Sequence, residues 1–423
     1  MTALERLADW VSTLTPDRIP VVQRRMVRLR LIDTFGLIAA AADHEAGRSL
    51  VAWANTNPGV GATVLITHRQ ALPAVAALVH GSLAHARDFD DTFPETVIHP
   101  GSTVIAAALA AAEPVNASFE MLSVAIVAGY EIAARLGAVA DRDFHARGFH
   151  ATSVVGPIAA AAAAGYLMRL DPLCLADAMG LSTSMSGGLL AFLADGGWSK
   201  WMHTGWSAHG GLIAAQLAGT GFRGPRQALD HRYGLYAAFL GRSDIDLAQV
   251  TDSLGETWLG MNAQPKLYPC AHVIQPYIEG ALALRAQGQT ADAIATINCI
   301  MAPWAMPIVA EPRHVKIAPR NDLEAIGSLP FMVAAALIDG KVDLATLAPA
   351  TISRPDIQAF ASRIHCEADA TLGPGFDGRM NVVRKDGERA SRAVGITPPG
   401  EALIIDKFRT NTSRCPKAAC DTL

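Results

Sequence analysis

The sequence predicts a mainly α protein with a smaller α+β domain. Three observations carry this. Apolar residues recur at helical spacing from about residue 21 to 219, small residues dominate those stretches, and β-branched runs with polar breaks begin only near residue 290. A chain of 423 residues is long enough for two domains and a large core. With 51% hydrophobic and 17% charged residues, many of the helices must be buried on most sides.

Taken in order, residues 21–42 set Arg24, Arg25, Arg28 and Arg30 between apolar positions, the pattern of an amphipathic helix. Pro73 stands at a first-turn position of a helix over 72–87 that carries His85 and Asp88 at its C-terminal end. Ser102 is the expected cap of a third helix running through Glu113, and Ser118 of a fourth running through Gly137. Further helices are expected over 151–167, over 172–190 behind the Asp171-Pro172 cap pair, and over about 206–219 after a break at 196–200. The composition changes around 254–268. Beyond it, 294–301, 314–317 and 364–384 read as strands, with a helix over 328–339 between them. The expected division is a helical domain over 1–265, with 399–423 returning to it, and an α+β domain over 266–398.

Several classes are set aside by composition. No run of eighteen or more strongly apolar residues is evident, so no membrane span is expected. The first nine residues lack the features of a secretory signal, which makes a cytoplasmic location the expectation. The six cysteines form no C-x-x-C pair, so reduced thiols are expected rather than a structural zinc or a disulfide framework. A net charge of -4 and no Lys/Arg block leave nothing for a nucleic-acid backbone to bind. There is no Gly-rich dinucleotide fingerprint after a strand and no H-E-x-x-H, so neither a cofactor nor a metal is expected. The last residues carry no clear helix stop, as in a truncated chain.

The densest ionisable cluster runs from His85 through Asp88, Asp90, Asp91 and Thr92 to His99. Such side chains, flanked by apolar helices, would desolvate and repel one another unless they shared a polar cavity. The simpler alternative is that Asp88 and Asp90 satisfy helix-end donors or pair with Arg87. Three downstream breaks, around His150, around Lys200 and His203, and around Lys266, Tyr268 and His272, repeat a mix of His, Lys and hydroxyl groups, which favours a site. Cys270 is read as structural and given no role. The stretch Asp90-Asp91-Thr92-Phe93-Pro94-Glu95 is also similar to the aspartate-rich magnesium and diphosphate site of terpenoid synthases. Its nearest second metal-binding stretch, Asn321-Asp322-Leu323-Glu324, lacks the required Ser, and 6% aromatic residues are few for holding a carbocation.

In order, Asp88-Phe89-Asp90-Asp91-Thr92, His99-Pro100-Gly101-Ser102, Gly148-Phe149-His150-Ala151-Thr152, Lys200-x-x-His203-x-Gly205 and Lys266-x-Tyr268-Pro269-Cys270 resemble the MmgE/PrpD family over nearly the whole chain. That family includes 2-methylcitrate dehydratase, cis-aconitate decarboxylase and iminodisuccinate epimerase. The resemblance implies a large helical domain and a smaller α+β lid domain, a homodimer, and an active site in the cleft between the domains. By position it implies a pocket lined by Asp88, Thr92, His99, His150, Lys200, Lys266 and His272, with His203 and Tyr268 from the same motifs as further substrate contacts.

Family substrates are small polycarboxylates. Lys200, Lys266 and His203 would hold them and stabilise the aci-carboxylate formed when a neighbouring C–H is deprotonated. An imidazole suits that proton transfer better than a solvated carboxylate, so His150 is the expected base, with His99, oriented by Asp88 and Thr92, as the acid. A dehydratase-type lyase ranks first and an epimerase of an amino- or imino-polycarboxylate second. A decarboxylase is disfavoured because Phe331 stands where some cis-aconitate decarboxylases carry Tyr. The His99 loop is closer to the shorter family members than to the longer 2-methylcitrate dehydratases. A binding protein without turnover is the reading from a different class.

Overall fold

The computed structural model describes residues 1–242 and 244–413. The chain forms two compact units, one of residues 1–86, 90–265 and the segment from 400 onward, the other of residues 87–89 and 266–399.

The first unit is helical. Its main helices are α1 (Ala3–Ser12), α2 (Val21–Ala42), α3 (Glu45–Asn55), α4 (Pro73–His85), α5 (Pro100–Ala112), α6 (Phe119–Ala138), the single turn α7 (Asp143–Ala146), α8 (Ala151–Leu167), α9 (Pro172–Ser182) and α10 (Ser199–Gly219). Local chemistry sets several of their starts. Thr2 and Glu5 form a capping box on α1, Ser118 Oγ accepts from Met121 N ahead of α6, and Asp171 accepts from Leu173 N and Cys174 N ahead of α9. For α5 the expected cap is wrong: His99 holds the N-cap position and Pro100 opens the helix, while Ser102 Oγ donates back to the His99 carbonyl. Two other limits also move. α9 stops at Ser182, and α10 begins at Ser199, because Gly196 and Gly197 end the preceding loop instead of delaying the helix.

α10 lies against α8, α4, α9 and α5. The approach to α4 leaves no room for a side chain: a Cβ on Gly205 would sit 2.1 Å from the Leu78 carbonyl oxygen, and one on Gly81 would sit 2.8 Å from Gly205 Cα. Thr204 Oγ1 ties the two helices by donating to the Gly81 carbonyl at 2.8 Å. This close crossing fixes where His85, at the end of α4, and His203, on α10, come to rest.

α2 is not the simple amphipathic helix expected. Arg30 turns inward, where its guanidinium lies 3.9 Å from the Tyr130 ring centroid and donates to the Gly260 carbonyl at 2.6 Å. The helix Glu401–Thr412 packs on α2 and places Lys407 Nζ 2.7 Å from Asp33. α6 is long and apolar enough, by length and composition alone, to cross a membrane, which the sequence reading did not foresee; 83% of its most apolar window is buried inside the fold. A hairpin of β1 (Pro58–Val64) and β2 (Arg69–Ala71) was also not expected.

Beside that hairpin, His80 on α4 is buried and accepts a hydrogen bond from Leu65 N at 3.1 Å. Burial pushes its pKa down to about 4, against a weaker opposing pull from Glu113. The unfolded chain binds a proton at His80 from about pH 6.5 downward and the folded chain only near pH 4. Stability therefore falls as pH drops through that window, by on the order of 3 kcal/mol from this residue. Urea midpoints at pH 7 and pH 4.5 should show a smaller acid loss in His80→Gln than in the parent; equal losses would remove His80 as a source.

The second unit holds a four-stranded sheet in the order β4–β3–β5–β6, made of β3 (Ile294–Met301), β4 (Ile364–Ala368), β5 (Gly378–Arg384) and β6 (Arg389–Val394). β3 pairs parallel with β4 and antiparallel with β5, with Ile297 opposite both Ile364 and Val382. The helices Gln275–Ala286 and Leu329–Asp339 pack on each other. The expected strand at 314–317 is instead a helical turn, Arg313–Ile317. There Lys316 Nζ is drawn inward and donates to the Ile308 and Gly327 carbonyls, both at 2.6 Å. Among the described residues Cys174, Cys270, Cys299 and Cys366 are free thiols. Cys415 and Cys420 lie outside the described residues.

Candidate active site

In the first unit the ends of four helices bring histidines together. His85 closes α4, His99 and His150 hold the N-cap positions of α5 and α8, and His203 lies in the first turns of α10. His85, His99, His150 and His203 are all buried. The His85 and His99 ring centroids are 4.6 Å apart, His85 and His150 5.6 Å, His99 and His150 6.1 Å, and His150 and His203 5.4 Å. Two of the four sit at helix N-termini, where the macrodipole favours an anion nearby.

Asp90 is the hub. Its carboxylate lies 2.9 Å from His85 Nδ1 and 3.1 Å from His99 Nδ1. Burial alone would raise this carboxyl, but attraction to both imidazoles and the hydrogen bonds from them hold it well below the usual carboxylate range. An ionised carboxylate only accepts, so both Nδ1 atoms carry hydrogen and donate to it. Thr92 Oγ1, 3.2 Å from His99 Nδ1, supports the same ring. The carboxylate beside His99 within this unit is therefore Asp90, which the sequence suggests only as a helix-end acceptor, a partner of Arg87 or part of a magnesium-type stretch; Thr92, expected beside His99, lies within hydrogen-bond reach of the same ring.

His150 lies beyond. Its Nδ1 is 3.3 Å from His203 Nδ1, so one of the two donates to the other. Burial first, and then repulsion from Lys200 and from any proton held by His85, His203 or His145, holds His150 well below the ordinary imidazole range. The same causes push His203 down to about 4, through burial first and then His85 and Lys200. His145, with its ring 6.1 Å from His150, is pushed down to about 3, mainly by burial. Lys200, in the first turn of α10, acts on all three rings by charge. The arrangement holds His150 as a neutral imidazole beside a ring, His99, that is tethered to a carboxylate.

Asp91 faces elsewhere. It accepts from Tyr130 OH at 2.7 Å and Gly101 N at 2.9 Å, and burial raises its carboxyl to about 6 against the pull of Arg30. With Asp90 committed to two imidazoles and Asp91 to α5 and α6, the adjacent pair does not present the joint carboxylate face of a magnesium-diphosphate site. The second stretch is spent as well: Asn321 caps the helix Asp322–Ile326, Asp322 accepts from Arg87 at 2.8 Å, and Glu324 pairs with Arg320.

Asp88, Lys266, Tyr268 and His272 belong to the second unit. Lys266 is 1% exposed, and its Nζ donates to the Asp88 carbonyl at 2.8 Å and to the Asp88 carboxylate. Asp88 holds φ +47°, a left-handed backbone unusual for a residue with a side chain. Tyr268 is half-buried, and its backbone is fixed on both sides by the Gln275 amide. Burial raises its hydroxyl to about 12. His272 is buried with its ring 5.0 Å from Phe376. Cys270 is fully buried, which raises its thiol, as suits a structural cysteine. Phe331 is fully buried in the helix Leu329–Asp339.

Residues that the sequence reading singled out thus come together as His99, His150, His203, Lys200 and Thr92 in one unit and as Asp88 and Lys266 in the other. His85, Asp90 and His145 are the additions. His85 and Asp90 were inside the cluster already noted, but spacing alone does not say which carboxylate faces which ring.

Residues 5–248 match the MmgE/PrpD N-terminal domain, and residues 268–421 match the MmgE/PrpD C-terminal domain. The chain belongs to the MmgE/PrpD family. Among curated members, the cis-aconitate decarboxylase-like protein oryM of Aspergillus oryzae is 27% identical, over 98% of this chain and 91% of its own length. The cis-aconitate decarboxylase of Aspergillus terreus is 24% identical, over 96% of this chain and 88% of its own. That of Homo sapiens is 28% identical, over 81% of this chain and 73% of its own. Lyase-like chemistry at the level of the MmgE/PrpD family is what these similarities support.

Proposed function

We propose that the chain is a cofactor-independent lyase that moves a proton at a carbon beside a carboxylate of a small polycarboxylate, acting as a dehydratase. The observation that carries this is the unequal treatment of two neighbouring imidazoles. His150 is kept neutral by burial and by surrounding positive charge, while His99 is bound through Nδ1 to an ionised Asp90. An arriving polyanion offsets the positive charge and raises the basicity of His150 toward the operating range, so that it takes the proton from carbon. Lys200 and the N-termini of α5 and α8 favour the negative charge that develops. His99, its imidazolium form stabilised by Asp90, protonates the departing hydroxyl.

Decarboxylation is the second reading, favoured by the names of the relatives. It needs a proton delivered to carbon after carbon dioxide leaves, a task for His99 alone, and so leaves the neutral His150 without a purpose. Epimerisation would use the two rings on opposite faces of one carbon. Incubation with 2-methylcitrate, citrate, cis-aconitate and iminodisuccinate in deuterated water, followed by proton spectra, separates the readings. Water loss from a hydroxy acid is the expected result. Carbon dioxide release from cis-aconitate would favour the second reading, and binding of any of them with neither exchange nor product would overturn both.

Pairing with a second copy belongs to the same proposal. Leu189, Leu193, Trp198, Met202 and Trp206 are exposed large apolar residues at and before the start of α10, and Trp198, Met202 and Trp206 recur at helical spacing. Light scattering should report twice the chain mass, and Met202→Glu combined with Trp206→Glu should halve it; a monomeric parent would contradict the pairing.

A further inference from the structure

We propose that His85, His99 and His150 form a binding site for a first-row transition-metal dication, zinc or cobalt(II), whose occupancy halts proton transfer. The binding stands apart from the proposed reaction; only the halting rests on it.

One ring nitrogen from each of the three residues lies within 4.8 Å of the other two, and all three side chains are buried. Asp90 accepts the Nδ1 hydrogens of both His85 and His99, which in the neutral rings leaves each Nε2 as a lone-pair donor. A carboxylate behind the imidazole is the arrangement that orients histidine ligands in metal sites and raises their basicity. The Nδ1 of His150 faces His203 Nδ1, and in the tautomer in which His150 donates there its Nε2 again carries the lone pair for a ligand.

The independent sign is His85 Nε2. It is fully buried and has no hydrogen-bond partner among the described residues, and the proton-transfer scheme does not use it. Leaving a buried polar atom unsatisfied is costly, and a ligand at this nitrogen would relieve that cost. The ring spacing fits such a ligand. With metal–nitrogen bonds of about 2.0–2.1 Å, three imidazoles on a tetrahedral ion hold their centroids about 5 Å apart, against 4.6, 5.6 and 6.1 Å here. Small rotations of the His99 and His150 rings would close the set. Three imidazoles select zinc, cobalt, nickel or copper over magnesium and calcium, and they leave a fourth position for water or a carboxylate. A metal there ties up the lone pairs of both His99 and His150, and neither can then carry a proton.

The full chain, treated with EDTA and desalted, is titrated with cobalt(II). Four-coordinate visible bands saturating at one equivalent per chain, bleached by zinc, are expected. His85→Gln should lose the bands, Asp90→Asn should weaken binding by roughly 10–100-fold, and His231→Gln, distant in the sequence and exposed, should change nothing. Circular dichroism accompanies each variant; should His85→Gln fail to fold, loss of the bands in His150→Asn is read in its place. Absence of bands in the folded parent, or full bands in the folded His85→Gln or His150→Asn chain, overturns the site. If the bands form but zinc leaves turnover unchanged, the halting is overturned and the binding stands. If the parent turns over none of the polycarboxylates, the cobalt result still decides the site.

Discussion

Replacing His150 with glutamine should lower turnover of the polycarboxylate by roughly 10²–10⁴-fold, the usual contribution of a positioned acid or base. Glutamine is close in volume and keeps a polar atom for His203, so the melting temperature should change little and polycarboxylate binding should persist. The effect rests on two features. The ring sits at the N-cap of α8, where the helix end presents it to an anion, and burial together with the nearby Lys200 charge keeps it unprotonated. Steady-state rates of parent and variant on the same substrate decide the matter: less than a tenfold loss in a folded variant would remove His150 from the chemistry.

The second large effect is expected in the other unit. Lys266→Ala removes the partner of a buried carboxylate and the tie that holds Asp88 at φ +47°. Breaking one side of a buried ion pair costs about 3–5 kcal/mol, because the charge left behind is neither hydrated nor matched. Urea unfolding followed by tryptophan fluorescence and by circular dichroism would measure the loss. Lys266→Met with Asp88→Asn, which discards both charges, should recover part of it. A single variant as stable as the parent would mean that the pair contributes nothing net.

The helical body was legible in the sequence because its signals are local. Asp171 and Ser118 announce their helices by their own side-chain bonds, and Pro73 marks a first turn through a fixed φ, whereas the same signal at Pro100 was passed over in favour of Ser102. The limits that moved depend on distant partners. No local signal shows that Lys316 will donate to two carbonyls and curl 313–317 into a turn, or that Arg30 will stack on Tyr130 rather than face solvent.

The candidate site follows the same rule. His99 and His150 stand in polar breaks immediately before apolar helices, which is where N-caps fall, and this made them visible. Asp90 was in plain view within Asp88-Phe89-Asp90-Asp91, but its partner His99 comes from the far side of a loop. Alternation along that stretch did not reveal that Asp88 would be drawn to Lys266, Asp90 to the two imidazoles and Asp91 to Tyr130. Three carboxylates so close in sequence were separated by tertiary partners of different charge.

Deuterium incorporation at the carbon beside the substrate carboxylate, followed by proton spectra in deuterated water, reports most directly on whether buried imidazoles move a proton there. The parent should place deuterium at that carbon or in the product, while His150→Gln, still folded and still binding the polycarboxylate, should place almost none. Equal incorporation by the two proteins would contradict the assignment of that proton to His150.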